Sequence, residues 1–374
     1  MHDTTGAVVA GQIEGIGTNQ AQLILDKADK PLPLMGHDHQ AAAMALMGWL
    51  EQQLAPGLLA GVGHRIVHGM QHIQPQPITP DLLEDLRAIS VYDPEHLPTE
   101  IAWIEAFQKQ YPDVPQVACF DTAFHDTMPQ VAKQLPLPRK YYDKGIRRYG
   151  FHGLSYAYLL KELGHIAGED VVRGRIVIAH LGNGASLAAV RNGQSIDTSM
   201  AFTPTAGIPM STRSGDLDPG VAWYLLQVEQ MSPAQFNELV NRKSGLLGLS
   251  ETTGDMRELL KRRQDDPRAE EAIEFFCYQV KKYIGSLAAV LGGIDTLIFS
   301  GGIGEHIPQV RGRICQGLEF LGIVLDEGCN QDNDPVISAN EGSVTVRVMA
   351  TDEEVMIAQM TAEVLEQVTS NIKV

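Results

Sequence analysis

Short apolar segments alternate with longer amphipathic segments along this chain, and this alternation constrains the fold more than any other feature. The clearest unit is a helix predicted over residues 267–291, with Asp266 as its N-cap and the pair Gly292 and Gly293 at its end. An apolar strand follows directly within DTLIFSGGIGEH, residues 295–306. Strands and helices in alternation favour an α/β protein.

Other segments extend this pattern. GLLAGVGHRIVHG (57–69) and VPQVACFDTAFH (114–125) each predict a strand that ends in a polar loop. GRIVIAHLGNGASLAAVRNGQ (174–194) predicts a β-hairpin, because Asn and Gly in its turn accept positive φ. A last helix is expected from about Asp352, and QHIQPQPITP (71–80) is expected to be a Pro-rich surface loop.

Length and charge narrow the class of protein. A chain of 374 residues is too long for one ordinary core, which favours two domains. The net charge of −17 argues against nucleic acid and anionic membranes as partners. The N-terminus has no signal-peptide pattern, and no apolar run approaches the ~18 residues of a membrane span. A cytoplasmic protein is therefore expected.

The cysteines and one histidine-rich segment do not predict a metal site. Cys119, Cys277, Cys315 and Cys329 are widely spaced and form no Cys-x-x-Cys pair, so reduced structural thiols are expected. The segment GHDH, residues 36–39, has no convincing partner ligands elsewhere and is expected to be an exposed loop. Neither a zinc centre nor a disulfide framework follows from these residues.

Four loops share a composition rich in Gly with hydroxyl or amide residues. Glycine lets the backbone come close to a ligand and direct its N–H groups at an anion, so together the loops predict a phosphate or nucleotide site. No loop has the P-loop pattern, and no Gly-x-Gly-x-x-Gly opens a helix, so a Rossmann dinucleotide site is unsupported. The loops are HLGNGAS (180–186), STRSGD (211–216), TTGDMR (252–257) and SGGIGEH (300–306).

Arginines beside histidines form a second group of candidate residues. They lie in GHRIVHG (63–69) and RRYGFHG (147–153), while FDTAFH (120–125) ends a predicted strand. Most of the twelve histidines are expected to be ordinary hydrogen-bonded side chains. An arginine in an apolar, Gly-rich setting requires an anionic partner. That partner is either an aspartate such as Asp121 or Asp216, or the carboxylate or phosphate of a ligand.

Ten segments, taken in order, resemble the sequence blocks of the acetate kinases. They are GHRIVHG, FDTAFH, RRYGFHG, HLGNGAS, DTSMAFTP, MSTRSGDLDPG, SGLLGLS, DMR, SGGIGEH and TDEEVMIA, from about residue 57 to the end of the chain. The resemblance implies two domains of the ribonuclease H-like fold, as in the sugar-kinase and actin superfamily, with an interdomain active-site cleft. The implied N-terminal acyl-substrate domain covers residues 1–124 plus 355–374, and the nucleotide-binding domain covers residues 125–354.

The resemblance also implies a reaction and its residues. Members transfer a phosphoryl group reversibly from ATP to acetate, giving acetyl phosphate and ADP, with Mg²⁺, and they are typically homodimers. Such a transfer depends on positioning and on neutralising charge. Arg213 and His152 would stabilise the moving phosphoryl group, and Asp121 would orient the reacting groups. Arg65 would hold the acetate carboxylate, and Glu353 would be a magnesium ligand.

The binding residues implied by the same matching fall into two sets. The acyl pocket would be formed by Val67, Val91, Phe151 and Pro204. One methylene in such a pocket is worth about 1–3 kcal/mol, so a kinase that prefers propionate stays an alternative. The nucleotide would be bound by His180, Leu181, Gly182, Asn183, Gly184, Asp255, Met256, Arg257, Gly302, Ile303, Gly304, Glu305 and His306. We further expect Asp216 and Asp218 to brace Arg213 or its loop.

Several positions depart from the family pattern. The family has GFHGTSH where this chain has GFHGLSY, so Leu154 and Tyr156 replace a Thr and a His. The family's GIGEN is GIGEH here, which places His306 near the nucleotide, and SVYDPEHLP (90–98) stands in the family's PLHNP region. These departures indicate a divergent subgroup with a shifted nucleotide or acyl preference.

The beginning of the sequence departs most. Family members open with a strand and an Asn-x-Gly-Ser-Ser-Ser loop, whereas this sequence has no adjacent serines and GAVVAGQIEGIG (6–17) resembles the family's second strand. We expect a start site placed too late or a shortened chain, weak or absent activity, marginal stability, and recovery once upstream codons are restored. The alternatives are a catalytically silent member that binds nucleotide or assembles as a partner subunit, and a hydrolase or sugar kinase of the same superfamily. Arg65 and the small pocket argue against a sugar.

Overall fold

The chain is divided into two compact units, Met1–Ala123 with Asp352–Val374, and Phe124–Thr351. The structure is a computed structural model, and it describes residues 1–3, 6–7, 11–16, 21–25, 32–33, 38–55 and 57–372. Residues 8–10 and 17 of the predicted strand over 6–17 lie outside the described residues, as do Gly36 and His37 of the GHDH segment.

The described residues of the first unit form three small sheets, with strand orders β1-β2, β3-β4-β5 and β6-β8-β7. In the third sheet β6 and β8 are parallel, while the short edge strand β7 is antiparallel to β8. The strands are β1 (His2–Asp3), β2 (Gly6–Ala7), β3 (Gly11–Glu14), β4 (Gln22–Leu25), β5 (Leu32–Pro33), β6 (Val62–Ile66), β7 (Gln76–Pro77) and β8 (Gln116–Phe120). The helices are α1 (His39–Gln53), α2 (Pro80–Ile89), α3 (Leu97–Gln110) and α16 (Glu353–Ile372).

The parallel pair β6 and β8 positions several of the predicted site residues. Arg65 pairs with Cys119 and Ile66 pairs with Phe120, so both strands end at the same edge of the sheet. Helix α16 lies directly on this pair, because a Cβ on Gly63 would come within 2.5 Å of the Ile357 side chain. Glycine at this position therefore allows the close approach that brings the start of α16 to the sheet.

The second unit is built on one five-stranded sheet with the order β11-β10-β9-β12-β13. Its strands are β9 (Arg175–Leu181), β10 (Ala185–Arg191), β11 (Gln194–Thr198), β12 (Thr296–Ser300) and β13 (Thr345–Val348). Its helices are α4 (Gln130–Lys133), α5 (Arg139–Tyr142), α6 (Gly153–Ala167), α7 (Glu169–Val172), α8 (Pro219–Gln227), α9 (Pro233–Arg242), α10 (Gly245–Ser250), α11 (Met256–Arg262), α12 (Pro267–Leu291), α13 (Gly301–His306), α14 (Pro308–Cys315) and α15 (Glu327–Asp332). Short 3₁₀ turns cover Ala123–Thr127 and Glu319–Leu321.

Two sequence predictions in this unit are confirmed. The strands β9 and β10 form the antiparallel hairpin predicted over 174–194. Helix α12 begins after the N-cap Asp266, whose side chain accepts from the Arg268 N–H, and it ends at Gly292. The strands β9 and β12 are parallel neighbours, and helix α12, which has many buried residues, lies between them in the sequence. This order of strand, helix and strand gives the unit its α/β character.

Other predictions need correction. The segment 71–80 is more than a loop, since Gln76 and Pro77 pair with β8 and Pro80 begins α2 after the N-cap Thr79. The predicted turn over 300–306 is the helix α13, because the Glu305 carboxylate accepts from the Gly301 N–H and so caps the first turn of its own helix. A glycine pattern alone does not reveal such a cap.

The remaining segments show ordinary structural roles. In the GHDH segment Asp38 caps α1 and His39 is the first residue of that helix, which replaces part of the expected loop. The four cysteines are free, and three of them are buried. No helix in the described part of the chain combines the length and the apolar character of a membrane span.

Candidate active site

In the first unit, the ends of β6 and β8 and the start of α16 bring together Arg65, Asp121 and Glu353. The Arg65 guanidinium donates from Nη2 to Asp121 Oδ2 at 2.5 Å and from Nε to Asp121 Oδ1 at 3.2 Å. The same Nε lies 3.4 Å from Glu353 Oε2. Two residues from adjacent parallel strands and one from a helix N-terminus thus form one charged cluster.

The charges of this cluster are unequal, because one cation faces two carboxylates. The Arg65 side chain is 39% exposed, whereas that of Asp121 has no exposed surface. The charge of Asp121 raises the pKa of Arg65, which fixes the guanidinium in its charged form. Burial, and then the charge of Asp121, raise the pKa of Glu353 to about 6. One edge of the guanidinium, formed by Nε and Nη2, is bound by Asp121, and Nη1 takes no part in these two hydrogen bonds.

Glu353 and Asp121 also fit the requirements of a magnesium ion. Within the described residues, no group of three or more His, Cys, Asp or Glu side chains is arranged to hold a metal alone. Mg²⁺ usually keeps several waters and is bound through one or two carboxylates together with substrate phosphates. The pair of carboxylates beside Arg65 matches that smaller requirement.

Glu100 is a residue of this cluster that sequence reasoning missed. Both of its carboxylate oxygens accept hydrogen bonds from the backbone N–H of Val67, at 3.3 and 3.2 Å. Burial raises the pKa of Glu100 to about 8, while the Val67 N–H and the charge of Arg65 act in the opposite direction. No motif signals this role, because Glu100 lies on α3 and reaches Val67 across 33 residues of sequence.

The second unit presents His152 from the N-terminus of α6 in a strained conformation. The φ and ψ angles of His152 are 59° and 24°, a left-handed conformation that is uncommon for residues other than glycine. Its Nδ1 lies 2.9 Å from Ser186 Oγ on β10. The His152 ring stacks on that of His180, with 4.4 Å between the centroids. The imidazole is thus fixed on two sides by the sheet.

Arg213 and His152 converge on Gly184 in the β9–β10 loop. A Cβ on Gly184 would lie 3.2 Å from His152 Nε2 and 3.5 Å from Arg213 Nη1. Arg213 Nη1 also donates to the carbonyl oxygen of Pro204 at 3.3 Å. Because Gly184 has no side chain, the two donors face one small space in front of the loop.

The Gly-rich loops of this unit are packed against one another. The Ser211 N–H donates to the Asn183 carbonyl oxygen at 3.2 Å, and a Cβ on Gly254 would meet the Ser211 carbonyl oxygen at 2.5 Å. In the β9–β12 register His180 pairs with Ser300, which directly precedes α13. All four loops that the sequence singled out for a nucleotide therefore lie close together.

The individual residues predicted for the nucleotide differ in their surroundings. Asp255 caps α11 and binds Arg257, whose Nη2 lies 2.8 Å from Asp255 Oδ2. The Glu305 carboxylate accepts from the Gly301 N–H at 2.8 Å. The His306 side chain is 75% exposed. Leu181, Met256, Ile303 and Gly304 are buried, while Gly182, Asn183 and Gly302 are at least partly accessible.

The predicted acyl-pocket residues also differ. Val67 and Phe151 are almost fully buried, and Pro204 is buried beside Arg213. Val91 is 73% exposed in the turn after α2. Val67 and Val91 belong to the first unit and the other two to the second.

Of the two aspartates expected to brace the Arg213 loop, only Asp216 has that role. Its Oδ1 accepts from the Gly207 N–H at 2.8 Å, and its Oδ2 accepts from the Tyr283 hydroxyl at 2.5 Å. Asp218 instead caps α8 by accepting from the Gly220 N–H. The Pro219 that follows suits the first position of a helix, and this explains the different role.

Comparison with known proteins identifies relatives of this chain. A model of the acetokinase family matches residues 1–359. An acetate kinase from Rhodopseudomonas palustris is 46% identical over 327 residues, which cover 87% of this chain and 82% of that protein. The crystal structure of an acetate kinase from Porphyromonas gingivalis is 36% identical, with a TM-score of 0.88 over 97% of this chain and 95% of that one. A propionate kinase from Francisella tularensis is 34% identical, with a TM-score of 0.91 over 96% of this chain and 94% of that one.

The fold, the clustered Gly-rich loops and these matches define the class as phosphotransferases of the sugar-kinase and actin superfamily, and they confirm the predicted fold class. Kinases of this kind require a divalent metal and bind ATP. The chain belongs to the acetokinase family.

Proposed function

We propose that this protein is an acetate kinase that transfers a phosphoryl group reversibly from ATP to acetate, giving acetyl phosphate and ADP. The observation that carries the proposal is the convergence of His152 Nε2 and Arg213 Nη1 on Gly184. Two donors aimed at one small space suit the equatorial oxygens of a transferred phosphoryl group, where negative charge must be neutralised.

The first unit supplies a site for the carboxylate substrate and the metal. The Arg65 edge not bound by Asp121 would pair with acetate, and the Asp121 carboxylate would hold the guanidinium in place. Glu353, with Asp121 beside it, would hold Mg²⁺ together with the nucleotide phosphates. When bound, this ion neutralises phosphate charge during the transfer.

The chemical step is direct in-line transfer. An acetate oxygen attacks the γ-phosphorus of ATP, a new C–O–P linkage forms, and the bond from the γ-phosphorus to the bridging oxygen breaks with its electron pair on ADP. The attacking carboxylate is already ionised, so no general base is needed. His152 and Arg213 would donate hydrogen bonds to the transferred group throughout, and loops 180–186, 211–216, 252–257 and 300–306 would bind the nucleotide.

The acyl group would contact apolar side chains among the residues that the resemblance assigns to its pocket. Val67 is held by Glu100, and Pro204 lies against Arg213. Propionate needs room for one more methylene, and a hydrophobic pocket discriminates against it by about 1–3 kcal/mol. Acetate is therefore proposed as the preferred substrate, and propionate as a slower one.

We also propose that the protein is a homodimer that associates through α8. This helix has no buried residue, although most of its side chains are apolar. Exposed apolar side chains on and beside it are Leu217, Val221, Trp223, Tyr224 and Val228. A contiguous apolar patch of this kind is typical of an interface, and the family resemblance points to a second copy of the same chain as its occupant.

A parallel test of acceptors examines this function. ADP formation is followed in a coupled assay with acetate, propionate and glycerol, and ATP binding is measured by calorimetry. The proposal expects acetate to give the highest kcat/KM and glycerol to give none. Turnover with glycerol would indicate a sugar-type kinase. Binding of ATP without turnover of any carboxylate would indicate the catalytically silent alternative.

A further inference from the structure

A buried chain of hydroxyl groups runs from Tyr156 to His152. The Tyr156 hydroxyl lies 2.5 Å from Ser186 Oγ, which in turn lies 2.9 Å from His152 Nδ1. Tyr156 and Ser186 have no exposed surface, and His152 is 9% exposed. Bulk water therefore competes little for these hydrogen bonds.

The local structure holds the side chains of Tyr156, Ser186 and His152 close together. Tyr156 lies in the first turn of α6, four residues after the N-cap His152, and its N–H donates to the His152 carbonyl oxygen at 3.0 Å. Side chains four residues apart lie on the same helix face, so both reach Ser186 on β10. The Tyr156 ring is fixed by Phe124 and His125, at centroid distances of 5.7 and 5.5 Å.

A second chain of the same kind lies beside the first. Thr351 Oγ1 donates to Ser155 Oγ at 2.8 Å, and Ser155 Oγ lies 2.8 Å from His180 Nδ1. Because Ser155 accepts from Thr351, its own proton is available for His180 Nδ1. The rings of His152 and His180 stack with 4.4 Å between their centroids, so the two chains meet at these imidazoles.

We propose that Tyr156 is a positioning residue that acts through Ser186 on His152. Tyr156 donates to Ser186, Ser186 donates to His152 Nδ1, and the ring proton is thereby held on Nε2. A phenol is a stronger donor than an alkyl hydroxyl, so the direction from Tyr156 to Ser186 is the favoured one. The protonated Nε2 faces the space at Gly184 that Arg213 Nη1 also faces.

This inference rests on the proposed function, because the proton held on Nε2 is the one that would be donated to the transferred phosphoryl group. It also gives a role to a departure from the family pattern, in which Tyr156 replaces a histidine. A tyrosine hydroxyl keeps one donor proton over the physiological pH range, whereas histidine changes its charge there.

The first test reads the tautomer directly and does not require enzyme activity. Nitrogen NMR spectra are recorded on the full chain with ¹⁵N-labelled histidine, and His152 is assigned by the signals lost in His152→Asn. We expect Nδ1 of His152 to be unprotonated and Nε2 to be protonated, and we expect Tyr156→Phe to give a mixture of tautomers. A protonated Nδ1 in the wild type, or an unchanged spectrum in Tyr156→Phe, would overturn the proposal.

The second test measures what the tautomer does in the reaction. Tyr156→Phe keeps the ring and is expected to lower kcat about tenfold, with KM for acetate and ATP changed less than about twofold. Ser186→Ala is expected to lower kcat similarly. The double variant should have a kcat no lower than that of the less active single variant. Tyr111→Phe is the matched control, because it removes a hydroxyl that donates to the Met47 carbonyl oxygen far from His152 in sequence.

The outcomes separate the inference from the function on which it rests. Additive effects of Tyr156→Phe and Ser186→Ala, or a lower Tm with unchanged kcat, would overturn the positioning role. If the wild type does not phosphorylate acetate, the proposed function fails, and the NMR spectra still decide the direction of the hydrogen bonds.

Discussion

Arg213 is the residue whose proposed role in the transition state is easiest to separate from binding. Its guanidinium donates to the Pro204 carbonyl oxygen and faces the space at Gly184. We expect Arg213→Ala to lower kcat by about a hundredfold or more, on the scale of losing one preorganised donor, with a much smaller change in acetate KM. Steady-state kinetics checks this. An intact kcat with a raised KM would make Arg213 a ground-state binder.

Arg65 is proposed to act in binding rather than in the chemical step. Asp121 occupies its Nε–Nη2 edge, which orients the remaining edge for the substrate carboxylate. Arg65→Ala is therefore expected mainly to raise acetate KM. Arg65→Lys should restore binding only in part, because an ammonium group lacks the planar fork of donors. An equal loss of ATP affinity, measured by calorimetry, would indicate that Arg65 pairs with phosphate instead.

Glu100 predicts a pH dependence of stability. Its pKa is raised from about 4.5 in the unfolded chain to about 8 in the fold, mainly by burial. The folded protein therefore binds this proton more tightly, and the resulting stabilisation is complete below pH about 4.5 and is lost as the pH rises toward 8. Glu100→Gln mimics the protonated side chain and removes this loss.

Thermal unfolding over pH 5 to 9 tests this expectation. The Tm of Glu100→Gln minus that of the wild type should rise between pH about 5 and 8 and then level off. Glu84→Gln changes an exposed carboxylate on α2 and is the control, for which the difference should stay flat. A flat difference for Glu100→Gln as well would contradict the burial of an uncharged carboxyl at this position.

At the scale of elements, the β9–β10 loop is predicted to tolerate no side chain at Gly184. A Cβ there would come within 3.2 Å of His152 Nε2 and displace the donors or the phosphate. Gly184→Ala should lower kcat at least tenfold, which corresponds to an activation barrier raised by about 1.4 kcal/mol. The Tm should change little. Gly285→Ala in α12 is the control, since its Cβ would meet no atom within 4 Å. Full activity of Gly184→Ala would remove the main support for the proposed function.

Helix α8 carries the prediction about assembly. Trp223 is 68% exposed on a helix with no buried residue. Trp223→Glu should convert the dimer to a monomer in sedimentation velocity, because a charge would be buried in an apolar interface. Val131→Glu changes another highly exposed apolar residue, on α4, and should leave the dimer intact. A monomeric wild type, or a dimeric Trp223→Glu, would argue against α8 as the interface.

For the molecule as a whole, local signals in the sequence predicted the helices and strands better than they predicted the contacts between these elements. The cap Asp266 and the pair Gly292 and Gly293 gave the bounds of α12, because caps act within one helical turn. The sequence assigns Arg65 and Asp121 to strand ends and offers Asp121 as one possible partner of an arginine. The pairing of β6 with β8, which the local sequence does not encode, selects this partner.

The parts of the site that sequence did not predict are long-range side-chain contacts. Glu100 reaches Val67 from a helix, and Tyr156 reaches Ser186 from α6 to β10. No spacing rule links such residues, since tertiary packing alone brings them together. Val91, which the resemblance assigns to an apolar pocket, is 73% exposed in the fold, and its place in that pocket stays a prediction.

Transfer of a phosphoryl group to acetate with the help of Arg213 can be followed by ³¹P NMR of the reaction products. The wild-type chain is incubated with ATP, Mg²⁺ and acetate, and the acetyl phosphate signal is followed in parallel with Arg213→Ala. We expect an acetyl phosphate signal that requires acetate and grows about a hundredfold more slowly in the variant. Inorganic phosphate without acetyl phosphate, or equal rates in the two proteins, would contradict it.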